Sequence, residues 1–305
     1  MVKEQVINPF FIGKYIGEHY FCDREKDTQA LVKHIINGRN VALISPRRLG
    51  KSGLIHHTFN RPEIKNTYTT IYVDIYSTKN LAEFAKMLSE AIIKTVNVEK
   101  SWYEKFTTFI KSLRVGFNID ALSGEPNIDI RIGDIEFPEK TVRELFDYLE
   151  SLSKPCVLAI DEFQQIAKYP EKNIEALLRT HIQKLGNCNF IFAGSERHMM
   201  QEMFTSSARP FYNSADLLEL RAIAPEIYIP FVCGHFEKRS RHIAPENVEW
   251  VYRLFKGHTY YIQRTFNEAF ADTSEGEECT REIIEEASEN MVASNDTIFR
   301  EILSN

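Results

Sequence analysis

The stretch Val41 to Ile55, VALISPRRLGKSGLI, constrains the fold more than any other part of the chain. Its four apolar residues Val41, Ala42, Leu43 and Ile44 predict a strand buried in a sheet that is covered on both faces. The run Ser45-Pro46-Arg47-Arg48-Leu49-Gly50-Lys51-Ser52 then fits the phosphate-binding pattern G-x-x-x-x-G-K-[ST] at every fixed position but the first. The chemistry accounts for the spacing. A glycine at position 50 lets backbone N–H groups turn inward around phosphates, and Lys51 reaches the outer phosphoryl groups. The Ser52 hydroxyl suits Mg²⁺, and the helix starting there points its positive dipole end at the anion. Ser45 departs from the pattern, so the turn out of the strand must be made without glycine's freedom. The plainer alternative is a strand–turn–helix that carries G-K-S by chance.

A second motif argues against chance. Val157, Leu158, Ala159 and Ile160 form another short apolar run, and it ends in Asp161-Glu162. A strand that delivers two adjacent acids can give one carboxylate to a metal ion and the other to an attacking water. Alone the pattern is weak, because strands often end in an acid. Following a phosphate loop, it makes a coherent pair.

Composition sets outer limits. A chain of 305 residues has room for one large α/β domain and a smaller one. Its 43% apolar and 26% charged content is that of an ordinary globular protein. No run approaches the ~18–20 apolar residues of a membrane span. The first residues, MVKEQVINPFFIG, show no apolar signal segment with a small-residue cleavage site, so a cytoplasmic location is expected. The cysteines at 22, 156, 188, 233 and 279 are scattered, which suits reduced thiols better than a disulfide or metal set. The net charge of −6 is local: from Ala271 to Asn305 ten acidic residues face two arginines. The main body is therefore not excluded from nucleic acid by charge, whereas the acidic end is a poor surface for it.

In chain order, a helix is expected over about 24–37, with Ala30, Leu31, Ile35 and Ile36 on one stripe and Gly38 ending it. A strand follows at Thr70–Ile75, then a helix capped by Asn80 with Glu83 at its third position, burying Leu81, Phe84, Leu88, Ile92 and Val96. Residues 115–137 alternate around Ser123-Gly124-Glu125-Pro126 and read as an inserted β-hairpin. Further expectations are a helix from Glu139 to Leu152 with Val142, Leu145, Phe146 and Leu149 inward, a helix over about 171–185, a strand at Asn189–Ala193 and a strand at Leu217–Leu220. From about Ala244 onward the pattern is only helical, at 245–256, 258–270 and 280–292.

This order of parts resembles the AAA+-like P-loop ATPases of the STAND group, in particular the bacterial members of the archaeal-type ATPase family. The residues that carry the resemblance are SPRRLGKS, LAIDE, IFAGS, RPFY at 209–212 and GHTYYIQ at 257–263. It implies an α/β fold with a parallel sheet of order 5-1-4-3-2, an ATPase core over 1–230 and a helical lid over 231–305. A winged-helix domain follows the lid in such proteins, so the chain reads as a fragment or as a short relative that borrows its output domain. On that reading Ile298, Phe299 and Ile302 form a docking face, the alternative being that they pack back on the lid.

The resemblance also implies roles. Residues Pro46 to Gly53, namely Pro46, Arg47, Arg48, Leu49, Gly50, Lys51, Ser52 and Gly53, would hold the phosphates of ATP or ADP. The Phe21-Cys22-Asp23-Arg24-Glu25 segment, with Arg24 as its contact, would lie near the adenine, although Asp23 stands where many relatives have Gly. Ser52 and Asp161 would bind Mg²⁺ and Glu162 would activate water. Ser195 matches a sensor of the γ-phosphate, or it simply caps the next helix. Arg209 is the arginine that would stabilise charge, in cis or across subunits, or else an arginine on a solvated loop. The implied function is Mg²⁺-dependent ATP binding and hydrolysis driving a conformational switch. The alternatives are a slow switch whose output is ATP occupancy, and a DNA-associated ATPase, for which neither a recognition helix nor a sustained basic stripe speaks. A protein partner or self-association is expected, and no membrane.

Overall fold

Burial grades across the main sheet as strand position dictates. The computed structural model describes residues 8–13, 15–96, 115–119, 126–132 and 134–293. Its elements in chain order are α1 (Glu25–Ile36), β1 (Val41–Ile44), α2 (Lys51–Asn60), α3 (Pro62–Lys65), β2 (Thr69–Asp74), α4 (Leu81–Val96), β3 (Val115–Ile119) and β4 (Pro126–Ile132). There follow α5 (Pro138–Glu150), β5 (Cys156–Asp161), α6 (Ile174–Ile182), β6 (Cys188–Gly194), α7 (Arg197–Thr205), β7 (Asp216–Glu219) and α8 (Pro225–Glu237). The last are β8 (His242–Ile243), α9 (Pro245–Leu254), α10 (Thr259–Ala271), β9 (Glu278–Cys279) and α11 (Arg281–Ala293). The five-stranded sheet runs β2-β5-β6-β1-β7, all parallel, which is the expected order 5-1-4-3-2 read from the other edge. Strands β1 and β5 are buried throughout and β6 nearly so, whereas the edge strands β2 and β7 show residues to solvent.

The chain forms two compact units. One comprises Gln29–Pro46 and Thr58–Glu219. In it α4, α5, α6 and α7 bury Leu81, Phe84, Leu88, Ile92, Val142, Leu145, Phe146, Leu149, Leu178, Met200 and Phe204 with the sheet. Phe163, Phe192, Phe204 and Phe211 pack in tilted and edge-to-face pairs at centroid distances of 4.6 to 6.1 Å. The Asn80 cap accepts from the Glu83 N–H at 2.9 Å, while the Glu83 carboxylate reaches back to the Lys79 N–H at 2.8 Å. Strands β3 and β4 pair antiparallel, as the alternation predicts. The hairpin's turn residues, 120–125, lie outside the described residues.

The other unit comprises the described residues up to Thr28, Arg47–His57 and those from Leu220 onward. Its core holds Phe10, Tyr228, Val232, Phe236, Val248, Val251, Tyr261, Phe266, Phe270, Ile284 and Met291. The expected domains 1–230 and 231–305 are thus divided differently. Residue 230 falls inside α8, whose Tyr228, Val232 and Phe236 belong to the lid core, and the N-terminal Phe10 lies there as well. Asn8 and Asn267 exchange side-chain bonds with each other's segments at 2.7 Å, Asn8 to the Asn267 carbonyl and Asn267 to the Phe10 carbonyl.

Two other expectations need correcting. The segment expected as a helical lid is not only helical: His242-Ile243 pairs in parallel with Glu278-Cys279, strands too short to leave a periodic signature. Helix α8 was not expected at all, because Pro230 inside it removes a backbone donor and reads as a break. Ile298, Phe299 and Ile302 lie outside the described residues. Among the described residues no helix is long and apolar enough to cross a membrane.

His235 on α8 is buried among Phe10, Tyr20 and Phe231, and burial pushes its pKa down from 6.5 to about 4, with Arg239, Lys238 and His19 adding to the fall. The unfolded chain therefore takes up a proton that the folded one refuses as pH drops from 6.5 towards 4. Stability measured by urea melts should fall across that window, and His235→Phe should flatten the slope. An unchanged slope in the variant would place the pH sensitivity elsewhere.

Candidate functional site

In the lid-containing unit, the phosphate-binding pattern forms a loop that enters α2 at Lys51. Gly50 takes φ +90° and Arg48 φ 70°, so the left-handed turns fall there. Ser45, the departure from the pattern, is not among the residues with positive φ; its N–H donates to the Gly194 carbonyl at 3.1 Å and its hydroxyl to the Pro46 carbonyl at 2.9 Å. The first turn of α2 leaves N–H groups with no intrahelical acceptor. Lys51 is only 7% exposed. A buried ammonium at the donor end of a helix is an environment built for an anion. Phe21 lies along this helix: a Cβ on Gly53 would stand 3.3 Å from the Phe21 ring, which stacks on His57 at 4.4 Å.

Arg24 and Arg48 hold the loop from behind. The Arg24 guanidinium donates to the Leu49 carbonyl at 3.0 Å and to the Arg221 carbonyl at 2.5 Å, and pairs with Asp27 at 3.3 Å. Burial lowers its pKa, with Asp27 opposing. Asp23 and Arg24 both have positive φ, 53° and 73°. The turn thus has the backbone a glycine would adopt easily, and Asp tolerates it better than most residues. The Arg48 guanidinium lies 4.7 Å from the Tyr260 ring and 4.8 Å from the Tyr261 ring and donates to the Tyr261 hydroxyl. Its backbone carbonyl accepts from the Tyr260 N–H at 3.1 Å. Both arginines, expected as nucleotide contacts, have their side chains engaged in tying the loop to the lid's own elements. Arg47 is exposed. Burial lowers the pKa of His258, so it is a poor source of positive charge near neutral pH.

In the sheet unit, β5 and β6 end side by side. Asp161 is 2% exposed; its Oδ2 accepts from the Tyr72 hydroxyl at 2.7 Å and its Oδ1 from the Glu162 N–H at 2.9 Å. Glu162 stands in the left-handed region at φ 57°, ψ 39°, which is uncommon for a residue with a side chain. Its Oε2 accepts from the Ser195 hydroxyl at 2.7 Å and from the Gln164 amide at 2.6 Å. Ser195 does not cap α7, whose cap position is Glu196. The Asp161 carboxylate is the kind of oxygen donor that a hard divalent ion such as Mg²⁺ takes, and the Ser52 hydroxyl of the other unit is of a kind that suits it too.

Residues 21–265 match the model of a family described as an ATPase domain predominantly from Archaea. The chain belongs to that family. No curated protein matches it. Its fold is similar to that of a Walker-type ATPase of Pyrococcus abyssi (TM-score 0.66, 18% identity, covering 97% of this chain and 78% of that one). It is also similar to the ORC2 protein of Aeropyrum pernix in a structure with ADPNP and ADP (0.63, 15%, 93% and 71%). A third is the ORC1 protein of Aeropyrum pernix in complex with DNA (0.57, 14%, 89% and 66%). At these identities the likenesses are of fold.

The remaining expected site residue of the ATPase, Arg209, is engaged by acids. Arg209 binds Glu175 at 2.5 Å and Glu202 at 3.3 Å. Burial raises the Glu175 pKa while Arg209 lowers it, the mark of a pair that depends on itself for charge. Tyr72 and Gln164 were missed by the sequence reading. The available signal was a pair of glutamines, Gln164 and Gln165, set between the apolar Phe163 and Ile166 directly after the acid pair.

Arg24 makes charge-assisted bonds to two carbonyls, each worth about 1.5–3 kcal/mol. Arg24→Ala should therefore speed hydrogen exchange across 47–52 markedly more than across β5 and β6. Equal protection in variant and parent would show that the loop holds its shape without the arginine.

Proposed function

We propose that this ATPase binds ATP with Mg²⁺, hydrolyses it to ADP and phosphate, and uses the cycle to drive a conformational switch. The observation that carries the hydrolytic reading is Glu162. A protein that only held a nucleotide would have no use for a carboxylate set next to the buried Asp161 by a left-handed backbone and fixed by two neutral donors. In this reading Lys51 and the first-turn N–H groups of α2 neutralise the β- and γ-phosphates, and Ser52 and Asp161 hold the metal. Bound Mg²⁺ supplies charge neutralisation on the phosphoryl oxygens. Glu162 orients the attacking water and takes its proton. Ser195 senses the γ-phosphate. Arg209 is left out of the chemistry, since releasing it would leave the partly buried Glu175 carboxylate unpaired.

A second reading, a slow switch whose output is ATP occupancy, draws on Arg48. Its clamp between Tyr260 and Tyr261 joins the phosphate loop to the first turn of α10, so a ligand that reshapes the loop acts on the lid helix directly. On this reading a protein partner or a second copy of the chain reads the lid. A nucleic-acid role is less supported. In the basic run 238–242, Arg241 lies 4.2 Å from the Phe270 ring and donates to the Thr273 carbonyl, and Arg239 leans on Tyr20, so these arginines serve lid packing.

Three substitutions test the proposal. Lys51→Ala should weaken ATP binding in a calorimetric titration by roughly tenfold or more with the melting temperature kept. Asp161→Asn should weaken binding chiefly in the presence of Mg²⁺. Glu162→Gln should bind ATP nearly as the parent does and turn over on the order of 10²-fold more slowly. Parent-like turnover in Glu162→Gln would favour the occupancy switch.

A further inference from the structure

Gln164 occupies the first turn of the 3-10 segment Phe163–Lys168, only 1% exposed. Its Nε2 donates to Glu162 Oε2 at 2.6 Å. Its Oε1 is buried with no hydrogen-bond partner. The amide cannot be turned round to satisfy that oxygen, because the turn would set Oε1 against the Glu162 carboxylate oxygen. Space for the side chain comes from β6: a Cβ on Gly194 would stand 2.4 Å from Gln164 Oε1 and 2.5 Å from the Met200 thioether. The fold thus keeps a glycine at the end of a buried strand and leaves an acceptor unsatisfied to place this one amide. A leucine there would bury well and leave nothing unpaired. An arrangement that costs stability in this way points away from a structural role.

The two donors on Glu162 Oε2 are chemically different. Gln164 is confined by burial and has no other acceptor to serve. Ser195 carries a single hydroxyl proton, so it can donate to Glu162 or to a phosphate oxygen but not to both. We propose that Gln164 is a positioning residue for the catalytic carboxylate: it keeps Glu162 aimed while the Ser195 proton moves to the γ-phosphate of bound ATP. Both donors hold the carboxylate, and the Gln164 bond is the one that stays as Ser195 changes partner. This rests on the reading of Glu162 as the group that activates water. No bond is made or broken at Gln164, whose amide holds both its protons throughout.

The test compares Gln164→Leu, Gln164→Glu and Glu162→Gln in the full chain, measuring ATP turnover, ATP affinity and melting temperature. Gln164→Leu should lower kcat on the order of 10- to 100-fold, the scale of a misaimed catalytic group, with affinity unchanged and melting temperature equal or higher. Gln164→Glu offers a donor only when protonated, so its kcat should fall as pH rises, relative to the parent's, and recover on acidification. A merely structural role would not produce that profile. Should Gln164→Leu fail to fold, Gln164→Met and the Glu profile carry the test. Parent-like kcat in the Leu or Met variant, or a loss of kcat that tracks lost affinity and melting temperature, overturns the positioning role. If Glu162→Gln also turns over like the parent, the reading of Glu162 itself has failed; if Glu162→Gln is slow and Gln164→Leu is fast, only the present inference has.

Discussion

The arrangement at the acidic strand end depends on the register of three central parallel strands. Ile160 of β5 lies opposite Phe192 of β6, and Gly194 of β6 lies opposite Ile44 of β1. That pairing sets the point at which each chain leaves the sheet, and the acids, the serine and the Ser45 turn all sit at those exits. A slip of one residue would move a strand end by about 3.3 Å and turn its side chains to the other face. The Ser195–Glu162 bond of 2.7 Å could not survive it. Register is held in turn by burial: Val41, Ile44, Ile160, Ile191 and Phe192 have no polar alternative face to offer.

Strain and unsatisfied polarity gather at the same end of the sheet. The left-handed Glu162 costs about 1–3 kcal/mol, and the unpaired Gln164 Oε1 a similar amount. Against a net stability of roughly 5–15 kcal/mol for a folded domain, those are large sums to place on neighbouring residues. They persist because the aromatic cluster of Phe163, Phe192, Phe204 and Phe211 leaves the segment after β5 nowhere else to go.

The unit that holds Phe10 and α8 is assembled from three separated stretches, and its ties reflect that. Phe10 is anchored between Phe236, Phe266 and Phe270, and Arg24 links α1, the loop at Leu49 and the segment at Arg221. Arg48 then joins the loop to α10 through two tyrosine rings. Charged groups here act as staples on backbone carbonyls and aromatic faces, which a planar guanidinium does better than an ammonium.

Strand-forming runs, the phosphate-binding loop, the acid pair and the inserted hairpin were legible along the chain, because hydrophobic period, glycine position and short motifs are local properties. Resemblance supplied the strand order that the sheet then displayed. Tertiary structure alone decided where polar side chains point. The sequence could name Arg24, Arg48 and Arg209 as cations but not show that carbonyls, tyrosines and glutamates engage them. It could not place Phe10 in a core completed more than two hundred residues later. Nor could it see α8 behind Pro230, or Gln164 beneath Glu162. Each of those depends on which distant groups compete for a donor or an apolar face, and that competition is settled only when the chain has packed.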